Sequence, residues 1–212
     1  MRHLSPIDQC FAVADNALRT LFGGYQVTQR SNPAAEKEEG ELTDAEKKHA
    51  AGLMRINHCG EVCAQALYQG QALTAKLPEV REKMEQAAAE ENDHLQWCCD
   101  RLQQLNSRTS FLNPLCYLGS FSIGALAGAL GDKWSLGFVA ETEQQVVRHL
   151  QSHLQELPEK DKKSRLIIEQ MKEDELHHAT VAIEAGGENL PAPIKWVMKN
   201  SAKLMTKSVY WL

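Results

Sequence analysis

Residues 84–105, MEQAAAEENDHLQWCCDRLQQL, space Met84, Ala87, Ala88, Leu95, Cys98, Leu102 and Leu105 as one face of a helix. Glu91 sits in the middle of that apolar stripe. A carboxylate buried without a partner costs several kcal/mol or takes up a proton, so an acid at that position needs compensation. The same interruption occurs twice more. Glu143 breaks the stripe of Leu136, Val139, Ala140, Val146, Val147 and Leu150. Glu175 breaks that of Ile167, Ile168, Met171, Ala179 and Ala182. A shared cation is the simplest compensation for three such acids.

Two histidines have the matching phase. Glu91-Asn92-Asp93-His94 and Glu175-Leu176-His177-His178 are both Glu-x-x-His pairs, and residues three apart on a helix point the same way about one turn apart. A lone carboxylate precedes each pair on the previous helix: Glu61 lies 30 residues before Glu91, and Glu143 lies 32 before Glu175. A Glu followed by Glu-x-x-His, repeated over two helical hairpins, is the ligand recipe of ferritin-like di-iron and di-manganese bundles. Four carboxylates and two imidazoles suit ferrous or manganous ions; calcium would not take the imidazoles and zinc would not need six ligands. The neighbouring acids Glu90, Asp93, Glu173 and Asp174 offer the opposing reading, surface acidic clusters that mimic the motif. His177 runs off the stripe. His58, His149 and His153 read as solvent-facing or supporting residues, and Tyr68 as a pocket or core tyrosine.

Outward from these motifs the chain reads as all-α, with almost no strand signal. Ser5-Pro6 opens a helix over about 6–22, closed by Gly23-Gly24, and residues 29–41 read as a solvated linker. Thr43-x-x-Glu46 is a capping box for a helix to about residue 76. Further helices span about 79–105, 133–157 and 158–185, the last closed by Gly186-Gly187. The resulting division is an N-terminal helix and linker (1–42), a metal-binding bundle (43–187) and a C-terminal tail (188–212). Residues 111–131, FLNPLCYLGSFSIGALAGALG, carry no charge but are diluted by proline and glycine. They read as a buried or interfacial helical hairpin rather than a membrane span. In the tail, Lys195, Lys199, Lys203 and Lys207 make a basic stripe beside Trp196, Leu204 and Trp211. Such a helix suits an anionic membrane surface or a docked final helix equally.

The 212 residues, 43% hydrophobic and 24% charged, are enough for one core without staples. A net charge of −5 argues against nucleic acid as a partner. The six cysteines form no Cys-x-x-Cys pair and read as free thiols in a reducing compartment. The first residues hold no signal-peptide run, which points to the cytosol or the cytosolic side of a membrane.

The run Arg55-Ile56-Asn57-His58-Cys59-Gly60-Glu61-Val62-Cys63-Ala64-Gln65-Ala66-Leu67-Tyr68 resembles the signature helix of the demethoxyubiquinol hydroxylases of ubiquinone biosynthesis. So do Glu90 to Leu95, Gly131-Asp132-Lys133 with Phe138 to Glu143, and Asp174 to Ala179. The resemblance implies a ferritin-like, peripheral membrane monooxygenase on the cytoplasmic face of the inner membrane, hydroxylating a polyprenyl methoxy-methyl-benzoquinol. Two iron ions would be the cofactor and dioxygen the co-substrate, with the reductant open. Other proteins of the pathway or further copies of the chain would be its protein partners. Glu61, Glu91 and His94 would serve one iron and Glu143, Glu175 and His178 the other, with Glu91 and Glu175 as bridges. Cys59 and Cys63 depart from the smaller or apolar residues usual in that family. The competing classes are an iron-storing ferroxidase, a di-manganese catalase and a metal-free helical adaptor.

Overall fold

The computed structural model describes residues 6–28 and 30–212, so the cap expected at Ser5 and the first four residues lie outside it. Helices α1 (Pro6–Phe22), α2 (Asp44–Thr74), α3 (Pro78–Gln104), α4 (Asn113–Leu130), α5 (Asp132–Glu156), α6 (Lys162–Glu184) and α7 (Ala192–Val209) account for the regular structure, and no strand occurs among the described residues. α2 pairs with α3 and α5 with α6, and the two hairpins pack together as a four-helix bundle.

Local chemistry sets the helix ends. Thr43 Oγ1 accepts from the Glu46 amide at 3.3 Å, and Glu46 Oε2 accepts from the Thr43 amide at 2.8 Å, completing the capping box of α2. Asp132 accepts from the Lys76 and Leu77 amides at 3.0 and 2.9 Å and so ties the α2–α3 turn to the start of α5. α6 begins at Lys162, four residues later than Pro158 suggested, because Asp161 is its cap and accepts from the Ser164 amide at 2.9 Å. Asp161 also accepts from buried Arg101 at 2.8 Å, while Glu39 pairs with the same guanidinium at 2.7 Å.

That Glu39 contact shows where a sequence expectation fails. The segment between α1 and α2 is a packed strap, not a solvated linker. Ala34 and Leu42 are buried, and Thr28 gives its amide and hydroxyl to Asp93 on α3 at 2.7 and 2.6 Å. Arg30 bonds Asp174 on α6. The charge run masked this, because Glu39 partners buried Arg101 while Glu36, Glu38 and Glu41 around it do face water.

The apolar segment likewise forms one helix, α4, where a hairpin was expected. Its glycines are contacts rather than breaks: a Cβ on Gly124 would lie 2.2 Å from the Leu67 carbonyl oxygen, and one on Gly70 would lie 2.3 Å from that of Phe121. α4 therefore lies backbone to backbone across α2, outside the bundle, and Gly131 (φ +127°) turns the chain into α5. Among the described residues no helix is long and apolar enough to cross a membrane. Leu115, Leu118, Leu126 and Leu130 remain exposed on its outer face.

Candidate metal centre

The bundle interior has two apolar layers with a polar layer between them. One layer holds Met54, Cys98, Leu150 and Met171; the other holds Tyr68, Met84, Val139 and Ala182. Glu61, Glu91, His94, Glu143, Glu175 and His178 fall in register between these layers, and all six are buried. Glu91, His94 and Glu143 have no solvent exposure at all.

The six residues meet as two overlapping sets. Ligand-capable atoms of Glu61, Glu91, His94 and Glu175 lie within 4.8 Å of one another. His94 Nδ1 is 3.0 Å from Glu91 Oε2, 3.2 Å from Glu175 Oε1 and 3.4 Å from Glu61 Oε2. His178 Nδ1 is 3.3 Å from Glu91 Oε1 and 3.2 Å from Glu175 Oε2. Glu91 and Glu175 thus face both histidines, one carboxylate oxygen to each. Glu143 adjoins the second set, close enough to feel the charges of Glu175, Glu91 and His178, and accepts a 2.5 Å hydrogen bond from the Tyr68 hydroxyl.

The far nitrogen of each imidazole is held by the opposite helix. His94 on α3 reaches Asp174 on α6 through Nε2 at 2.8 Å, and His178 on α6 reaches Glu90 on α3 through Nε2 at 2.8 Å. A carboxylate accepts only, so Nε2 carries a proton, and Nδ1, turned into the cluster, is the nitrogen that would give its lone pair to a metal. These two acids are the residues that the surface-cluster reading set aside. Their signal was the doubled pattern acid-Glu-x-x-His, at Glu90-Glu91 and Asp174-Glu175 alike. Asp174 is partly buried, yet hydrogen bonds from His94 and Arg30 pull its carboxyl down to about 2.

Without a cation the cluster is electrostatically unbalanced. Burial, then the charge of Glu91, pushes the Glu61 carboxyl well above the usual range; burial, then Glu175 and Glu91, does the same to Glu143. Burial also opposes ionisation of Glu91, but His178 and His94 outweigh it and hold that carboxyl low. Glu61 Oε2, Glu91 Oε1 and Glu143 Oε2 are buried with no hydrogen-bond partner. Orphaned, mutually repelling carboxylate oxygens beside two oriented imidazoles fit a pair of divalent cations.

The other sequence candidates lie elsewhere. His177 is exposed. His58 is buried against Tyr25 Oη at 3.0 Å and Asn113, and burial lowers its pKa to about 4. His153 is buried rather than solvent-facing, its ring edge-on to that of His149 at 3.9 Å between centroids.

A family model described as "Ubiquinone biosynthesis protein COQ7" matches residues 25–209, a span that takes in the whole carboxylate and histidine cluster. The chain belongs to the COQ7 family. Within it, a protein of Acinetobacter baumannii named 3-demethoxyubiquinol 3-hydroxylase is 60% identical over 212 residues, all of both chains. Proteins of the same name from Chromohalobacter salexigens and Nitrosococcus oceani are 59% and 56% identical over 211 residues, covering 100% of this chain and 99% of each relative. Among solved structures, a dodecameric thioferritin, the bacterioferritin-related protein of Bacteroides fragilis, superposes with a TM-score of 0.56. It is 19% identical and covers 65% of this chain and 84% of its own, so it shows the ferritin-like fold of this COQ7 family member and nothing finer.

Proposed function

We propose that the chain is a di-iron monooxygenase that hydroxylates the ring of a polyprenyl methoxy-methyl-benzoquinol, 3-demethoxyubiquinol, in ubiquinone biosynthesis. The observation that carries this reading is the symmetric buried cluster of four carboxylates and two histidines, taken with full-length relatives named for that reaction. Glu61, Glu91 and His94 would hold one iron and Glu143, Glu175 and His178 the other, with Glu91 and Glu175 offering one oxygen to each. When bound, such a centre supplies electrons to dioxygen and directs one oxygen atom at an organic substrate.

The chain's own residues supply the setting. The two apolar layers keep bulk water from the reacting groups, which strengthens every electrostatic interaction among them. Asp174 and Glu90 fix the histidine tautomers and ring planes. Tyr68 holds a proton at its hydroxyl, one hydrogen bond from Glu143, and so steers that carboxylate.

A polyprenyl substrate tail would call for work at a membrane surface, and the proposed place is the cytoplasmic face of the inner membrane. Exposed apolar residues support this: Phe11, Leu18 and Phe22 on α1, Leu115 and Leu118 on α4, and Trp196 and Leu204 on α7. α7 buries only Val209 and keeps Lys199, Lys203 and Lys207 in solvent beside those apolar groups, the composition of a helix that lies on anionic lipid.

The test is turnover of 3-demethoxyubiquinol by the iron-loaded chain under oxygen-18 gas with a reductant, read by mass spectrometry. One labelled oxygen in the ring hydroxyl, lost in Glu143→Ala with helicity intact, supports the proposal. Oxygen consumption with iron oxidation and no hydroxylated quinol would point to a ferroxidase instead.

A further inference from the structure

Cys59 and Cys63 lie one helical turn apart on α2, and Cys116 meets them from α4. Their sulfur atoms all lie within 4.8 Å of one another. Each of the two α2 cysteines is two residues from Glu61, a rotation of about 200° around the helix. The thiols are therefore on the opposite face of α2 from the carboxylate cluster, at the seam where Gly70 and Gly124 bring α4 against the α2 backbone.

Apart from the Ser120 hydroxyl beside Cys63, the surroundings of the sulfurs are apolar. Ile56, Leu112, Met205 and Val209 pack in the same cluster, and no carboxylate or imidazole joins the three-sulfur group. Cys59 is fully buried while Cys63 and Cys116 are half-buried, so the group has a closed floor and an open edge. A bundle core filled only for packing has no need of three thiols converging from two helices.

Ligand chemistry selects the occupant. Three converging thiolates with no carboxylate or imidazole among them favour soft cations, and ferrous iron is better served by the carboxylate and imidazole set across the helix. Zinc in a structural site takes four protein ligands, whereas this group presents three. We propose that Cys59, Cys63 and Cys116 form a second metal site that takes a monovalent copper ion, tying α4 to α2. The ion clips the outer helix, with its exposed leucines, to the bundle helix that carries Glu61.

The experiment is an anaerobic titration of the full-length, ferrous-iron-loaded chain with cuprous ion against a chromophoric cuprous chelator. A background of Cys10→Ser and Cys99→Ser removes the exposed and half-exposed thiols outside the cluster. The expected result is about one copper per chain, a loss of affinity of at least about 100-fold in Cys116→Ala, and unchanged iron content. X-ray absorption at the copper edge then shows sulfur neighbours alone. Should Cys116→Ala lose helicity, Cys63→Ala reads the same site. Equal affinity in wild type and variant, oxygen or nitrogen neighbours around copper, or displacement of copper by equimolar zinc would each overturn the assignment.

Discussion

His94 of α3 donates its Nε2 proton to Asp174 of α6 at 2.8 Å, and the arrangement is mirrored by His178 of α6 and Glu90 of α3. Each hairpin thereby orients the histidine of the other. The strap before α2 reinforces one half, since Arg30 bonds Asp174 and Thr28 bonds Asp93. The proposed metal ligands are therefore held from outside the cluster as well as from within it.

Replacing these orienting acids weakens the metal without removing a ligand. Asp174→Asn and Glu90→Gln should each lower ferrous-iron affinity about 10–100-fold, the usual effect of losing a histidine's carboxylate partner. Competition with a calibrated iron chelator measures it, and circular dichroism should show the helices unchanged. Wild-type affinity in both variants would mean that the far nitrogens need no anchor.

Tyr68 and Glu143 stand 75 residues apart in sequence and share a 2.5 Å hydrogen bond in the interior. Tyr68→Phe leaves the Glu143 oxygen without its donor and should cost about 1–3 kcal/mol of stability in the metal-free protein. Chemical denaturation reads this directly. A loss in kcat with little change in KM would further mark Tyr68 as a positioning residue.

Gly124→Ala should be far more damaging than a surface glycine replacement. The added carbon would meet the Leu67 carbonyl oxygen at 2.2 Å, and backbone cannot yield as a side chain does. Overpacking of this kind costs about 1–3 kcal/mol or more, and thermal melting of the variant tests it. Gly119, with open space around it, is the control.

His153 predicts an acid sensitivity separate from the metal. Burial, joined by the charges of His149 and His49, lowers its pKa from 6.5 to about 3 in the folded chain. The unfolded chain thus binds this proton first as pH falls. The contribution of the neutral ring to stability is complete above pH 6.5 and is lost progressively between 6.5 and about 3. Metal-free wild type should lose stability relative to His153→Gln across that window. A constant difference between the two would contradict the assignment.

Much of this architecture was legible in the sequence, because buried acids on apolar stripes are costly enough to be informative. Glu91, Glu143 and Glu175 stood out for that reason, and the structure brings them together with Glu61, His94 and His178. Glu90 and Asp174 did not stand out, since an acid beside an acid reads as surface until a facing helix supplies its partner. α4 was misread as a hairpin because Gly124 and Gly128 look like breakers along the chain. Their purpose is close approach to α2, which only the tertiary contact reveals. The strap had the same difficulty: Glu39 looks solvated until buried Arg101 arrives from α3.

The most direct test of the central claim is anaerobic Mössbauer spectroscopy of the full-length chain loaded with iron-57, before and after exposure to oxygen. About two high-spin ferrous ions per chain are expected, converting to a coupled diferric pair, with the signal lost in Glu143→Ala and Glu175→Ala. Carefully reconstituted protein that holds no specific iron, or one uncoupled ion unaffected by those substitutions, would contradict it.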